Sequence, residues 1–132
     1  MNSPKTIQTD TIPETPEIST PDDYFATFKA ISDHTRLRIL NLLFHRELFV
    51  CEISGLIQHC DSTISAHLAI LRDAGFIISE RDGRWVKYRI NPQPTNPFTK
   101  HMLRLLKQWL DHYHFYEQDI KATENINVRH TC

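Results

Sequence analysis

The sequence predicts a mainly α-helical chain of about five helices with one small β-hairpin, and three observations carry that prediction. Apolar residues recur at helical spacing in successive stretches between Tyr24 and Tyr113. A single Asp-Gly pair, Asp82-Gly83, sits between two alternating segments, the strongest short-range hairpin signal. The length of 132 residues, 40% of them hydrophobic, suits one small domain with tails. Three divisions follow: a disordered tail over 1–20, a folded domain over 21–120 and a flexible tail over 121–132.

Met1 to Thr20 contains Pro4, Pro13 and Pro16, many Thr and Ser, and no aromatic residue, the composition of a disordered segment. Thr20-Pro21-Asp22-Asp23 then starts a helix, with a hydroxyl cap, proline at the first position and acids that suit the macrodipole. Tyr24, Phe28 and Ile31 share a face, with Phe25 beside them, and this helix is expected to end near Ser32. Ser32 or Asp33 caps a second helix whose buried stripe reads Leu37, Leu40, Leu43 and Phe44. Leu48 to Ile57 reads as a short third helix with Val50, Ile53, Leu56 and Ile57 inward.

Cys60-Asp61-Ser62-Thr63 starts a fourth helix, in which Ile64, Leu68 and Leu71 form one apolar stripe. Gly75 is its expected C′ residue. Strands over Phe76–Arg81 and Arg84–Ile90 flank the Asp82-Gly83 turn, with Val86, Tyr88 and Ile90 alternating against Trp85, Lys87 and Arg89. The third helix, a turn and the fourth helix form a helix-turn-helix, and the hairpin after it makes the unit a winged helix. After the proline-rich connector Asn91–Pro97, Met102, Leu105, Leu106, Trp109, Leu110 and Tyr113 mark a long last helix. Its stripe is wider than one small core can cover. The chain is therefore expected to dimerise through its first and last helices.

The outer face of the fourth helix is Ser62, Thr63, Ser65, Ala66 and Ala69, small and hydroxylated, and it carries one acid, Asp61. A DNA major groove admits one such helix, and short polar side chains on its first turns can read base edges. Arg81 and Arg84 at the hairpin tip would neutralise phosphates and fix register. The plain alternative is a core helix followed by a solvated hairpin. The formal charge of −1 hides an uneven split: Lys5 against Asp10, Glu14, Glu17, Asp22 and Asp23 leaves 1–23 at −4, so the remainder carries +3. A mildly basic body is compatible with DNA but does not require it. No apolar run approaches the ~18–20 residues of a membrane span, and no signal peptide is read at the N-terminus. A cytoplasmic protein is expected, with its three cysteines as thiols.

Five segments, in order, resemble the ArsR/SmtB family: Ser32–Leu40, Glu47–Ile53, Ser62–Leu68, Leu71–Gly75 and Asp82–Ile90. The resemblance spans about Tyr24 to Tyr116. It implies a homodimeric winged-helix repressor that releases operator DNA on sensing a metal, metalloid or redox signal. The recognition helix would match Asp61–Ala74 and the wing Phe76–Ile90, so Ser62, Thr63 and Ser65 would face DNA with Arg81 and Arg84 on the wing. Ala66 stands where many arsenic-type members carry arginine. His67 matches a common family histidine, read equally as a DNA contact or as a half-buried residue bonded locally.

The resemblance also marks sensing positions. Arsenite-type members hold trivalent arsenic on three thiolates, as a soft ion prefers, and the matching positions here read Phe49, Cys51 and Ser54. Cys51 alone is retained, so further thiols for As(III) or another thiophilic ion would have to come from Cys132, on the tail with His130, or from Cys60. Cys132, on a long tail with ample reach, is the expected one. The bland alternative makes Cys51 a small hydrophobe and Cys132 an incidental thiol. Zinc-type members use positions that read Thr99, His101, His112 and Phe115 here, with both acids missing. Cys60 stands at a capping serine position, where a helix N-terminus lowers a thiol pKa, and is a candidate redox residue.

The expected function is a DNA-binding transcriptional repressor released by a thiophilic ion, with no permanently bound cofactor. Two alternatives remain: a thiol redox repressor without metal, or a winged helix used for protein contact. Catalysis is not expected, since no Gly-rich phosphate loop or nucleophile motif is present.

Overall fold

The computed structural model describes residues 21–125. The elements run α1 (Pro21–Ile31), α2 (His34–His45), β1 (Leu48–Phe49), α3 (Val50–Ile57), α4 (Asp61–Asp73), β2 (Ile77–Asp82), β3 (Trp85–Ile90), α5 (Pro97–Tyr113) and α6 (Glu117–Thr123). The expected tail over 1–20 lies outside the described residues. The mainly helical winged helix-turn-helix is present, with one helix and one strand more than the sequence suggested.

The caps explain why the helices begin where they do. Asp33 is extended, and its carboxylate accepts the Arg36 backbone N–H at 3.0 Å at the start of α2. Burial pushes this carboxyl up, but that hydrogen bond and the charges of Arg36 and His67 outweigh it and hold the pKa below the ordinary value. Asn96 caps α5 by accepting from Phe98 N–H at 2.8 Å, with Pro97 at the first position. Gly75 leaves α4 with φ +85°, the left-handed C′ residue the sequence implied.

The third helix starts later than expected. Leu48 and Phe49 are strand, paired with Tyr88 and Lys87 of β3, and the sheet order is β1-β3-β2. Phe49 must be extended because it caps α3: its N–H donates to Glu52 Oε1 at 2.9 Å, half of a capping box. The hairpin turn is also displaced by one residue. Asp82 pairs with Trp85, so Gly83 and Arg84 occupy the turn, and Gly83 alone takes positive φ, +65°. One positive φ at the first central position suits a type II′ turn rather than the type I′ turn implied by Asp-Gly.

The core gathers Ile39, Leu40, Leu42 and Leu43 of α2, Ile53 and Ile57 of α3, Ile64, Leu68 and Leu71 of α4, Phe76, and Leu103, Leu106 and Leu110 of α5. The α4 stripe is as expected. In α2, Leu37 and Phe44 are only partly buried, while Ile39, Leu42 and even Asn41 go inside. Thr99 is fully buried; its hydroxyl donates to the Ala74 carbonyl at 3.0 Å and lies 3.1 Å from the Thr27 hydroxyl. That relay ties α1, the end of α4 and α5 together.

Beyond α5 the chain turns through His114 and Tyr116, both left-handed, into α6, which packs on α2 and α3. The expected boundary between folded domain and tail, at 120/121, falls inside this helix, and 126–132 lie outside the described residues. Arg38 Nε and Nη2 donate to the two Asp119 oxygens at 2.8 and 2.9 Å, and Arg46 Nη1 donates to the Thr123 carbonyl at 3.2 Å. The Asp119 hydrogen bond, against the opposing effect of burial, raises the Arg38 pKa. Asp119→Ala should cost about 1–3 kcal/mol, the usual loss when one side of a charged, mostly buried pair is removed. Denaturant midpoints will measure it. Hydrogen exchange over 117–123 should quicken most, and unchanged protection there would show that apolar packing alone holds α6.

Candidate nucleic-acid interface

The first turns of α4 present Ser62, Thr63, Ser65 and Ala66 to solvent, while Ile64 and Leu68 point into the core. This division follows from helical period: the apolar stripe must face the core, so the small hydroxylated residues face out. Ser65 and Ala66 lie about one turn along from the start, where a helix entering a groove meets base edges. His67 is different. Its ring Nδ1 lies 3.1 Å from Arg36 Nη1 and 4.0 Å from Asp33 Oδ1, at the start of α2. Arginine can only donate, so this contact uses Nδ1 as the acceptor. The structure gives His67 the local bonding that was one of its two readings.

Arg81 and Arg84 are both exposed on the wing. Lys87 and Arg89 of the same hairpin stand in ion pairs. Lys87 Nζ is 3.6 Å from Asp82 and 3.9 Å from Glu47, and Arg89 Nε is 4.0 Å from Glu47. Neither Arg81 nor Arg84 stands in such a pair among the described residues.

Cys60 is exposed at the start of α4, its sulfur 3.2 Å from the Ser62 hydroxyl and 3.1 Å from the Thr63 hydroxyl. Those two hydrogen bonds lower its pKa to about 7. A large thiolate fraction is therefore present at neutral pH. The iodoacetamide alkylation rate of Cys60 should rise with pH through a midpoint near 7. A midpoint above 8, as in a free thiol, would contradict the hydroxyl hydrogen bonds.

The metal-sensing positions fare differently. Cys51 is half-buried and disulfide-bonded, which corrects the expectation that every cysteine is a thiol. Compartment arguments weigh solution chemistry and do not see which sulfurs a fold joins. Cys132 and His130 lie outside the described residues. Phe49 fills a family thiolate position with a ring packed 5.5 Å from Trp85, at 67°. Ser54 is buried and donates to the Val50 carbonyl at 2.9 Å. Thr99 is committed to the core, so the zinc-type acid position faces inward, while Phe115 is exposed and stacks on Tyr113. His112 packs edge-on against Tyr113. Among the described residues, no three His, Cys, Asp or Glu side chains gather into a metal site within one chain.

One further surface stands out. Trp109, Tyr113 and Phe115 are 51%, 59% and 52% exposed, and Tyr24, Phe25 and Phe28 of α1 are also open. Tyr24 and Phe28 each meet Phe98 edge-on at 4.9 and 5.0 Å, which joins α1 to the start of α5. Helix α5 is thus two-sided, with Leu103, Leu106 and Leu110 in the core and Trp109 and Tyr113 bare on its outer face.

Comparison with known proteins agrees with this architecture. The family model described as "Bacterial regulatory protein, arsR family" matches residues 33–79, from the cap of α2 into β2. The arsenic resistance transcriptional regulator ArsR1 of Pseudomonas putida is 41% identical over 78 residues, covering 58% of this chain and 59% of that protein. The arsenical resistance operon repressor of Bacillus subtilis is 36% identical over 74 residues, 55% of this chain and 70% of its own length. A solution structure described as the homodimeric winged helix-turn-helix DNA-binding domain of a possible ArsR-family regulator from Mycobacterium bovis superposes with a TM-score of 0.58. It is 27% identical, covering 73% of this chain and 84% of that one. The chain spans about six tenths of the length of the first of these relatives. With the helix-turn-helix, the wing and the matched segments in one register, the chain belongs to the arsR family of bacterial regulatory proteins.

Proposed function

We propose that this protein is a homodimeric transcriptional repressor that binds operator DNA and is released by a thiophilic ion of the arsenite kind. One observation carries the DNA reading: a small, hydroxylated helix face, with Asp61 at its start as the one acid, lies beside a wing that carries Arg81 and Arg84 exposed at its tip. Ser62, Thr63 and Ser65 supply donors and acceptors for base edges, Ala66 supplies apolar contact, and Arg81 and Arg84 neutralise phosphates. The dimer reading is supported by the bare aromatic face and by the homodimeric relative. Two half-sites one helical turn apart then follow from two-fold symmetry. No described helix is long and apolar enough to cross a membrane, in keeping with a protein that works on DNA in the cytoplasm.

The inducer reading rests on Cys51, at the start of the helix next to the reading helix, and on relatives named for arsenic resistance. Its thiolate becomes available on reduction, with Cys132 the proposed second ligand. A redox reading has its own support in Cys60, whose lowered pKa favours oxidation beside the DNA-facing turn.

Fluorescence anisotropy on the chain's own upstream DNA tests both. The reduced protein should bind in the nanomolar range typical of specific sites, about 10⁻⁸ M or tighter, and arsenite should displace it. Cys51→Ser should bind DNA and ignore arsenite, while Cys60→Ser should keep the arsenite response and lose any response to peroxide. Wild-type arsenite release in Cys51→Ser would remove the proposed ion site.

A further inference from the structure

Arg84 is the one wing-tip arginine with a defined seat. Its guanidinium carbon lies 5.5 Å from the centroid of the Trp85 ring. Trp85 packs edge-on against Phe49, with ring centroids 5.5 Å apart. Phe49 is buried, held as the last residue of β1 and the cap of α3, and Lys87 Nζ lies over its ring at 5.3 Å. A continuous line of contacts therefore runs from the cap of α3, through two rings packed edge-on, to the wing tip. Arg81 lies across the turn, exposed, and no ring or carboxylate holds it among the described residues.

We infer that Trp85, braced by Phe49, is a positioning residue for DNA binding: it holds Arg84 at the height where a phosphate passes the wing. The inference rests on the DNA reading proposed above. The physical reason is pre-organisation. A guanidinium on a long side chain loses rotamer freedom when it binds, and a ring beneath it removes part of that loss beforehand. Trp85 itself carries no charge, so it contributes to phosphate binding only through Arg84. The same bracing runs beside Cys51, which lines a cleft of about 310 Å³ with Phe49, Asp61, Arg84 and Trp85.

Operator affinity measured against salt concentration tests this. Arg84→Ala should make the salt slope shallower by about 0.9, the loss of one phosphate contact. Trp85→Leu should lose most of the same increment without any change of charge, and Trp85→Phe should retain most of it. In the double variants, Trp85→Leu should add little to Arg84→Ala and add its full effect to Arg81→Ala. A wild-type slope in Trp85→Leu overturns the inference. Equal coupling of Trp85 to both arginines does so as well, since Trp85 would then only hold the hairpin together. If Arg84→Ala itself keeps the wild-type slope, the phosphate role of the wing tip fails, and the positioning role fails with it. Should Trp85→Leu not fold, Phe49→Leu removes the brace and is read by the same comparison with Arg84→Ala.

Discussion

Ser65→Glu should abolish operator binding. Ser65 is exposed on the outer face of α4, so the substitution disturbs no packing and should change stability by no more than about 0.5 kcal/mol. On DNA, however, a carboxylate would be pressed between phosphate strands and base acceptors. Juxtaposed like charges cost several kcal/mol, roughly 3 or more here, and each 1.4 kcal/mol is about tenfold in affinity. A loss above about 100-fold is expected at any operator sequence. Anisotropy titration at fixed salt, with a thermal melt of the same sample, separates this from unfolding. Retained affinity would place the reading surface on another element.

The second large effect belongs to Trp109. It stands half out of the outer face of α5, with Tyr113 one turn on and similarly open. Large aromatic side chains at the centre of an interface are the ones whose loss costs about 2 kcal/mol or more, and a buried unpaired carboxylate adds to that. Trp109→Glu should raise the dimer dissociation constant by at least about 100-fold, leaving folded monomers at micromolar concentration. DNA affinity should fall with it, because a monomer holds one half-site. Sedimentation velocity is the direct measurement. A wild-type chain that sediments as a monomer at the same concentration would end the dimer reading.

Much of the helix-turn-helix and of the candidate interface was legible because their signals are local. The stripe of Ile64, Leu68 and Leu71 lies within eight residues, and a helix of period 3.6 has only one way to bury it. Gly75 ends α4 for the reason glycine usually does, and Asp33 caps α2 through its own third neighbour. Once the stripe faces inward, Ser62, Thr63, Ser65 and Ala66 must face outward. The candidate interface therefore follows from residues close together in the chain.

The sensing positions were less legible, because a sequence position does not reveal its environment. Thr99 looked like a metal-ligand position that had lost its acid. In the fold it is a buried hydroxyl bridging α1, α4 and α5. Phe49 looked like a missing thiol and is instead a bracing ring under Trp85 and Lys87. Asn41 and Glu52 are polar residues inside the core, where periodicity placed only apolar ones.

The sequence by itself determined the helices, the hairpin and the outward face of α4, since caps, turns and amphipathic period act over a few residues. Tertiary structure alone decided the rest. Whether Leu48 and Phe49 are helix or strand depended on β3 forty residues away, because a strand exists only when a partner supplies its hydrogen bonds. Whether residues 121–123 belong to a tail or to a helix depended on Arg38, which meets Asp119 of that helix from 81 residues away. Which side of α5 enters the core depended on where α1, α2 and α4 had already been placed. A stripe on one helix shows how much apolar surface must be covered. What covers it is settled only when the other helices have taken their share.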